Sequence, residues 1–373
     1  MPVIQINDQS VAFEAGQTLL EVCRAQSIAV PTLCLLNSCS PTGACGVCLV
    51  EDAKTHDLVR SCSTPAREGM VIRTDSHAVH QGRRRAIEAL IASGNHNCGV
   101  AGTSGSLDFT DLQMTSGDLE SEFDLCPAWG DCRLQDLAYE YQARVDELGT
   151  TWRERMPDLS NPMIVRDYSR CIVCGRCVKA CDEVQGNRAI EMDGTGTLPT
   201  VPGGGSLVGS DCVFCGECVQ ACPVGALVDK KSRGKWRPRE VEKIRTTCPY
   251  CGVGCQQLLH VREGKIVKVT GVEGAQPNQG RLCVKGRFGY DFIYSQERLT
   301  SPLVRKDGEL TPVSWDEALD YTAKRLKQII EESGPDAVAG VSCARSINED
   351  SYQMQKLFRA VFKTNNIDHC ART

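Results

Sequence analysis

The feature that most constrains this chain is its cysteine content, 23 of 373 residues. The first ten residues, MPVIQINDQS, contain no secretory signal and no twin-arginine pair, so we expect a cytoplasmic protein. Thiols stay reduced in that compartment, and an odd number of closely spaced cysteines there indicates bound metal rather than a disulfide framework. Aromatic residues are only 5% of the chain, so we expect metal clusters to stabilise modules that have small hydrophobic cores.

Charge and hydropathy exclude two classes of partner. There are 42 Lys and Arg against 47 Asp and Glu, a net charge of −5, which predicts no nucleic-acid partner. No apolar run approaches the ~20 residues of a membrane-spanning helix, so we expect no membrane insertion. The length predicts more than one domain.

An internal repeat is the most specific motif in the chain. Two runs share the spacing C-x2-C-x2-C-x3-C, and the second is followed by proline: Cys171, Cys174, Cys177, Cys181; and Cys212, Cys215, Cys218, Cys222. This is the spacing of the bacterial two-cluster ferredoxin, in which the fourth cysteine of each run ligates the other cluster. We therefore expect two 4Fe–4S clusters, with Cys222 joining the first trio and Cys181 the second. Two zinc sites are the alternative, since thiolate tetrads also bind zinc, but the doubled run favours clusters.

The N-terminal cysteines follow a different spacing, Cys34-x10-Cys45-x2-Cys48-x13-Cys62. The first gap departs from the four residues of plant-type ferredoxins. The set resembles the N-terminal 2Fe–2S domain shared by the complex I large subunit, iron-only hydrogenases and NAD-linked formate dehydrogenases. Cys39 is a surplus thiol in the same loop and could replace Cys34 as a ligand, but the family spacing favours Cys34.

A third group contains a histidine: His96, Cys98, Cys126 and Cys132. It resembles the 4Fe–4S site with one histidine and three cysteine ligands that occurs in the same families. The resemblance comes mainly from the gap of five residues before Cys132 and from the sequence LQDLAY that follows. Two spacings depart from the family, since only Asn97 separates His96 from Cys98 and 27 residues separate Cys98 from Cys126. The alternative is that His96 is a structural histidine.

The fourth group, Cys248-x2-Cys251-x3-Cys255-x27-Cys283, resembles the single 4Fe–4S cluster that opens molybdopterin oxidoreductases. By that resemblance Lys285 lies between the cluster and the pterin; an ordinary exposed lysine is the alternative. The four groups imply one 2Fe–2S and four 4Fe–4S clusters. They use 19 of the 23 cysteines, and we expect the others, Cys23, Cys39, Cys343 and Cys370, to pack as small hydrophobic residues.

These groups predict an α+β multi-domain iron–sulfur protein. The expected segments are a β-grasp 2Fe–2S domain at 1–78, a domain for the histidine-ligated 4Fe–4S cluster at 79–150, a two-cluster ferredoxin domain at 151–235, a molybdopterin oxidoreductase 4Fe–4S domain at 243–300 and the start of an α/β molybdopterin domain at 301–373. We expect a hairpin from VIQI and VAF, helices after Thr18 and Ser314 from their capping residues, helices in RLQDLAYEYQARV and EDSYQMQKLFRAVF, and a buried strand in AVAGVSC. The basic stretch 230–239 is predicted to be an exposed linker.

Among the families named, the order of the four groups resembles only the large subunit of cytoplasmic molybdenum- or tungsten-dependent formate dehydrogenase. The complex I large subunit lacks the doubled ferredoxin run. Iron-only hydrogenase has a different cysteine pattern in the region that corresponds to residues after 230 of this chain. Residues 364–372, TNNIDHCAR, resemble the segment before that family's metal-binding residue. Arg345, Asn348 and Glu349 resemble a family loop near the pterin, with helix capping as the alternative.

The resemblance implies reversible oxidation of formate to CO2 at a molybdenum or tungsten bis-pterin guanine dinucleotide. Electrons would pass the Cys248 cluster, the two ferredoxin clusters, the His96 cluster and the 2Fe–2S centre in that order. The acceptor would be a flavin and iron–sulfur diaphorase subunit that reduces NAD, or a hydrogenase or ferredoxin partner. The alternative function is a non-catalytic electron-transfer subunit.

The resemblance also carries an expectation about Thr373. In the family the next residue is the cysteine or selenocysteine that ligates the metal, so we hypothesise a UGA codon after Thr373. The 373-residue product would then bind clusters without oxidising formate. A chosen end point or a break in the sequence is the alternative.

Overall fold

The computed structural model describes residues 1–94, 96, 126–128, 130–144, 156–233, 236, 238–343 and 346–370. The chain divides into two compact units, Met1–Lys243 with His260–Lys268, and Ile244–Leu259 with Val269–Thr373. Within the described ranges, no helix combines the length and apolar character that a bilayer crossing requires.

The N-terminal module is a mixed sheet with one helix. Its strands are β1 (Val3–Ile6), β2 (Gln9–Ala12), β3 (Leu49–Asp52), β4 (Asp57–Arg60) and β5 (Val71–Arg73), in the order β2-β1-β5-β3-β4. Strands β1 and β2 form the predicted hairpin, while β1 and β5 are parallel. Thr18 begins helix α1 (Leu19–Ala25) with the predicted side-chain cap, which Glu21 completes as a capping box. The parallel central pair and its helix are the topology of a β-grasp fold.

Two helices follow this sheet, α2 (His77–Ala92) and α3 (Arg133–Glu140). Helix α3 was predicted to extend through RLQDLAYEYQARV, and that length is wrong. Gln142 has a left-handed backbone conformation, φ +50°, which a continuing α-helix of L-residues cannot accommodate. Helix α2 packs on α3 and on β3.

The repeated cysteine runs fold as two copies of one loop. The elements are β6 (Ile164–Arg166), α4 (Arg176–Lys179), β7 (Glu191–Met192), β8 (Pro199–Thr200), α5 (Glu217–Ala221) and β9 (Leu227–Asp229). Helices α4 and α5 each begin after a glycine with positive φ, Gly175 at +73° and Gly216 at +75°. Two residues earlier, Val173 and Phe214 also have positive φ. The shared spacing therefore produces a shared backbone path.

Strands β10 (Glu242–Thr247), β11 (Gln256–Arg262) and β12 (Lys265–Gly271) form a three-stranded sheet in that order. The prediction that 230–239 is an exposed linker is wrong at Trp236, which is 8% exposed. Its ring lies 4.6 Å from Lys268 Nζ and 5.3 Å from the ring of His260. A cation–π contact and an apolar ring surface explain this burial.

The C-terminal elements are α6 (Val284–Phe288), β13 (Leu303–Lys306), β14 (Glu309–Pro312), α7 (Trp315–Ser333), β15 (Gly340–Cys343), α8 (Asn348–Lys356) and β16 (Ile367–Cys370). The predicted cap of α7 is confirmed, since Ser314 Oγ accepts from Glu317 N at 3.2 Å. Strands β15 and β16 are parallel, with α8 between them in sequence. The prediction of a buried β15 is wrong, because Val341 is 75% exposed on a sheet that has two strands in the described chain.

Candidate metal centres

The two repeated cysteine runs interleave around two cavities. The first cavity contains the thiols of one trio and the fourth thiol of the other run: Cys171, Cys174, Cys177 and Cys222. The second cavity contains the complementary set: Cys181, Cys212, Cys215 and Cys218. The two cavities are of similar size, as expected if they hold two clusters of the same kind. The structure thus groups these eight cysteines in the pairing that the spacing predicts.

The thiols of the first cavity fit a cationic cluster. Burial raises the pKa of Cys174 to about 12 and that of Cys177 well above its usual value, and neighbouring thiols add to both effects. Iron binding displaces the thiol protons, and the positive charge of the iron compensates the negative charge of the thiolates. Among the residues that the structure describes, no three His, Cys, Asp or Glu side chains converge on a single-ion site. In a cubane each thiolate binds a different iron, so the four thiols need not converge on one point.

The four candidate 2Fe–2S thiols lie close enough to interact, three in the loop between α1 and β3 and one just after β4. Their exposed fractions are 6% or less: Cys34, Cys45, Cys48 and Cys62. Hydrogen bonding from Cys45 lowers the pKa of Cys34, and hydrogen bonding from Cys62 lowers the pKa of Cys48. The surplus Cys39 is half-buried on the same loop. The arrangement favours Cys34 over Cys39 as the fourth ligand.

The His96 group is described in part. Cys126 and Cys132 are buried in the same hydrophobic cluster as Cys171 and Cys174. Cys132 Sγ lies 3.4 Å from the carbonyl oxygen of Pro223, the residue after Cys222. His96 follows α2, and its backbone N–H donates to Gly94 O at 2.8 Å.

The lack of a side chain at Gly94 leaves room for Ser169 and His96 to lie close to it. An added Cβ there would lie 2.7 Å from Ser169 O and 3.5 Å from His96 Nε2, so a larger residue would displace the backbone or the ring. Cys98 lies outside the described residues, and the full ligand set remains a prediction.

The fourth group surrounds the start of α6. The N–H of Cys248 donates to Cys255 O at 2.8 Å. Burial raises the pKa of both thiols, and Cys251 and Cys283 raise both further. An added Cβ on Gly286 would lie 3.4 Å from Cys248 Sγ, so α6 passes close to this thiol. Lys285 belongs to the same helix.

The predicted pterin residues and surplus thiols have mixed outcomes. Arg345 lies outside the described residues. Asn348 and Glu349 are the first residues of α8, after Ile347 at the N-cap position, so neither residue is the N-cap. Cys23 is fully buried, as predicted, and burial raises its pKa to about 11.

Two other surplus thiols do not pack as predicted. Cys343 is exposed and Cys39 is half-buried, because β15 has an uncovered face and Cys39 lies on a surface loop. The side chain of Cys370 is not among those described.

Sequence reasoning missed the contact between the 2Fe–2S loop and the first cavity. Thr42 Oγ1 donates to Cys174 O at 3.1 Å and lies 3.4 Å from Cys34 O. Arg176 Nη1 donates to Leu33 O at 3.2 Å. An added Cβ on Gly175 would lie 3.0 Å from Thr42 Cγ2, so glycine permits the close approach. These partners are more than 130 residues apart in sequence, and no local pattern indicates their contact.

Four known domain families match the chain. They are described as a 2Fe-2S iron-sulfur cluster binding domain at 3–77, a 4Fe-4S dicluster domain at 170–226, a molybdopterin oxidoreductase Fe4S4 domain at 241–295 and molybdopterin oxidoreductase at 298–373. Along the chain, the matches thus place iron–sulfur cluster domains before two segments similar to molybdopterin oxidoreductase domains. The matches cover three of the four cysteine groups, and none covers the His96 group.

Curated relatives match along nearly the whole chain. A subunit of the NADH-quinone oxidoreductase of Rhizobium meliloti is 35% identical over 99% of this chain and 40% of its own length. NADPH-Fe(3+) oxidoreductase subunit alpha of Geobacter sulfurreducens is 34% identical over 100% of this chain and 40% of its own. A putative formate dehydrogenase of Staphylococcus aureus is 31% identical over 99% and 39%. The chain thus spans about 40% of the length of these relatives.

A solved structure also matches. The crystal structure of an NAD+-reducing [NiFe]-hydrogenase in the H2-reduced state superposes with a TM-score of 0.50 at 28% identity. The match covers 63% of this chain and 90% of the hydrogenase chain.

Proposed function

We propose that this chain belongs to the large subunit of a cytoplasmic formate dehydrogenase that uses molybdenum or tungsten. The observation that carries the proposal is the combination of two interleaved cysteine cavities with the molybdopterin oxidoreductase domains at 241–295 and 298–373. A relative over 99% of the chain bears the name putative formate dehydrogenase. The reaction is HCOO⁻ to CO2, H⁺ and two electrons, for which a bis-pterin guanine dinucleotide metal centre, when bound, supplies the acceptor.

The chain's own contribution is to hold iron–sulfur clusters close together and away from water. The ligand assignments are those given above: one 2Fe–2S site, two ferredoxin sites, the His96 site and the Cys248 site. Thr42 links the backbone of the 2Fe–2S loop to the backbone at Cys174 through its hydroxyl. This bonded path favours direct exchange between those two sites, in place of the predicted order with the His96 site between them.

The His96 group also adjoins the first cavity, because Cys132 Sγ lies 3.4 Å from the carbonyl oxygen of Pro223, which lines it. The first cavity therefore has two neighbours, the 2Fe–2S loop and the His96 group. The reduction potential of the cluster in the first cavity would therefore affect electron transfer to both neighbouring sites.

A diaphorase-type partner that exchanges electrons with NAD is part of the proposal. The hydrogenase and the Rhizobium relative carry NAD or NADH in their names, and the match to the Rhizobium relative extends over nearly all of this chain. A second candidate function follows from the Geobacter relative, whose name specifies NADPH and Fe(3+). In that case a reduced nicotinamide would supply the electrons to the clusters, and formate would not be a substrate.

Metal analysis and a substrate test separate the two candidates. The complete subunit, purified anaerobically, should contain about 18 iron atoms in this part of the chain, together with molybdenum or tungsten. Formate should then bleach the cluster absorbance, and Cys174→Ser should reduce transfer to NAD in the complex with its partner. Cys343→Ser, at an exposed thiol outside all four groups, is the matched control. Reduction by NADPH but not by formate would overturn the formate proposal and support the second candidate.

A further inference from the structure

Tyr168 is a residue of the first cavity that no cysteine motif includes. It lies three residues before Cys171 and lines the cavity with the four thiols. Its hydroxyl oxygen is buried, and within the described part of the chain no acceptor for its proton lies within hydrogen-bond distance. A buried hydroxyl proton without an acceptor is costly, and Tyr168 lines the same cavity as the four thiols.

The groups around Tyr168 leave its proton available. The Arg166 guanidinium lies 5.6 Å from the ring centroid. It donates to Asp158 Oδ2 from Nε at 3.0 Å and from Nη2 at 2.5 Å. A guanidinium has only donors, so it cannot accept from the phenol. A phenol is protonated at neutral pH, so the Tyr168 hydroxyl keeps a proton to donate.

We propose that Tyr168 donates a hydrogen bond from its hydroxyl to a sulfur atom of the 4Fe–4S cluster in the first cavity and so raises that cluster's reduction potential. Reduction adds negative charge to the cluster, and a donor aimed at its sulfur stabilises the reduced form more than the oxidised form. The inference rests on the proposed ligand set of this cavity.

The repeat provides an internal comparison. The residue three positions before Cys212, which corresponds to Tyr168, is Gly209. Nearby Ser210 already donates to Leu207 O at 2.9 Å and accepts from Cys212 N at 3.3 Å. The second cavity therefore has no phenol at the equivalent position, and the donor distinguishes two clusters with otherwise matching loops.

The test is an EPR-monitored redox titration of the complete, cluster-loaded protein. The signal of the first cluster is the one altered in Cys174→Ser. In Tyr168→Phe this signal should titrate at a lower potential, with iron content and the other cluster signals unchanged. Incorporation of 3-fluorotyrosine at position 168, a stronger donor, should shift it upward. Tyr141→Phe is the matched control, since that hydroxyl lies in the same core but accepts from Arg83 Nη1 at 3.0 Å, and it should leave this potential unchanged.

Three results would overturn the inference. The potential could be unchanged in a fully loaded Tyr168→Phe protein, every cluster could shift equally, or the cluster could be lost, which would assign Tyr168 a packing role. If Cys174→Ser alters no 4Fe–4S signal, the ligand assignment itself fails. That outcome is distinguishable from an unshifted but present cluster.

Discussion

Replacing Arg83 with methionine should destabilise the first compact unit far more than the same change at its neighbour Arg84. Arg83 is 3% exposed. Its Nε and Nη2 donate to Leu49 O at 3.0 and 2.7 Å, and its Nη1 donates to Tyr141 Oη at 3.0 Å. It thus ties α2 to the strand that follows Cys48 and to the end of α3. Hydrogen bonds from a charged donor contribute about 1.5–3 kcal/mol each.

Methionine retains most of the aliphatic packing of Arg83 but supplies no donor. The buried Tyr141 hydroxyl and the partly buried Leu49 carbonyl lose this donor. Release of the buried charge offsets part of the loss, and the expected net cost is about 3 kcal/mol. For a unit of this size that corresponds to a fall in Tm of about 6–12 °C. Thermal unfolding of anaerobic, cluster-loaded protein, followed by circular dichroism, measures it.

Arg84→Met provides the control. The Arg84 side chain is 38% exposed and pairs with Glu88 at 2.8 Å, and a surface pair contributes about 0–1 kcal/mol. If Arg83→Met melts within the range of Arg84→Met, the buried hydrogen bonds do not hold the module together and the reasoning is refuted.

Three further predictions concern acid stability, packing and electron flow. Burial raises the pKa of Asp158, but hydrogen bonds from Ser160 and Arg166 outweigh the effect of burial and lower the pKa to about 2. The ionised Asp158 carboxylate therefore stabilises the fold at pH values above its unfolded pKa of about 3.9. This contribution to stability is lost as the pH falls toward 2. Asp158→Asn should lower Tm at pH 7 and flatten its fall between about pH 5 and 2, and an unchanged acid limb would contradict this. Gly225→Ala should reduce the iron content, because the added Cβ would lie 2.6 Å from a neighbouring side chain. Gly186→Ala should retain the iron, because Gly186 has a similar positive φ but open space around its Cα. Equal iron content in the two variants would refute the steric argument. Lys285→Met should leave all clusters assembled but slow formate-to-dye transfer in the complete enzyme, and an unchanged rate would make Lys285 an ordinary surface lysine.

The sequence predicted best those features that short-range spacing determines. Cys171 and Cys174 lie in one loop and Cys177 in the helix that directly follows it, so their spacing alone limits how they can surround a cluster. The caps at Thr18 and Ser314 are likewise local, because each side chain bonds a backbone N–H three residues away. Such features need no knowledge of the tertiary fold.

The errors and omissions depend on distant contacts. Thr42 meets Cys174 across 132 residues, and nothing near either residue signals the pairing. Trp236 is buried because Lys268 and His260 cover its ring, whereas its local sequence is basic. Val341 lies in an apolar segment typical of a buried strand, but its burial depends on neighbouring strands, and within the described residues its sheet has only two. Tyr168 was overlooked because a lone tyrosine belongs to no metal-ligand pattern.

The exchange of one cysteine between the two ferredoxin runs has a consequence for biosynthesis. Translation delivers Cys171, Cys174 and Cys177 first, but the thiol that completes their cavity is Cys222. The other cavity needs Cys181 from upstream and three thiols that follow residue 211. Neither site has its fourth thiol in place until both runs have left the ribosome and folded onto each other. Iron insertion by a carrier protein therefore has to follow this folding step, and a nascent chain paused between the two runs would present only incomplete sites.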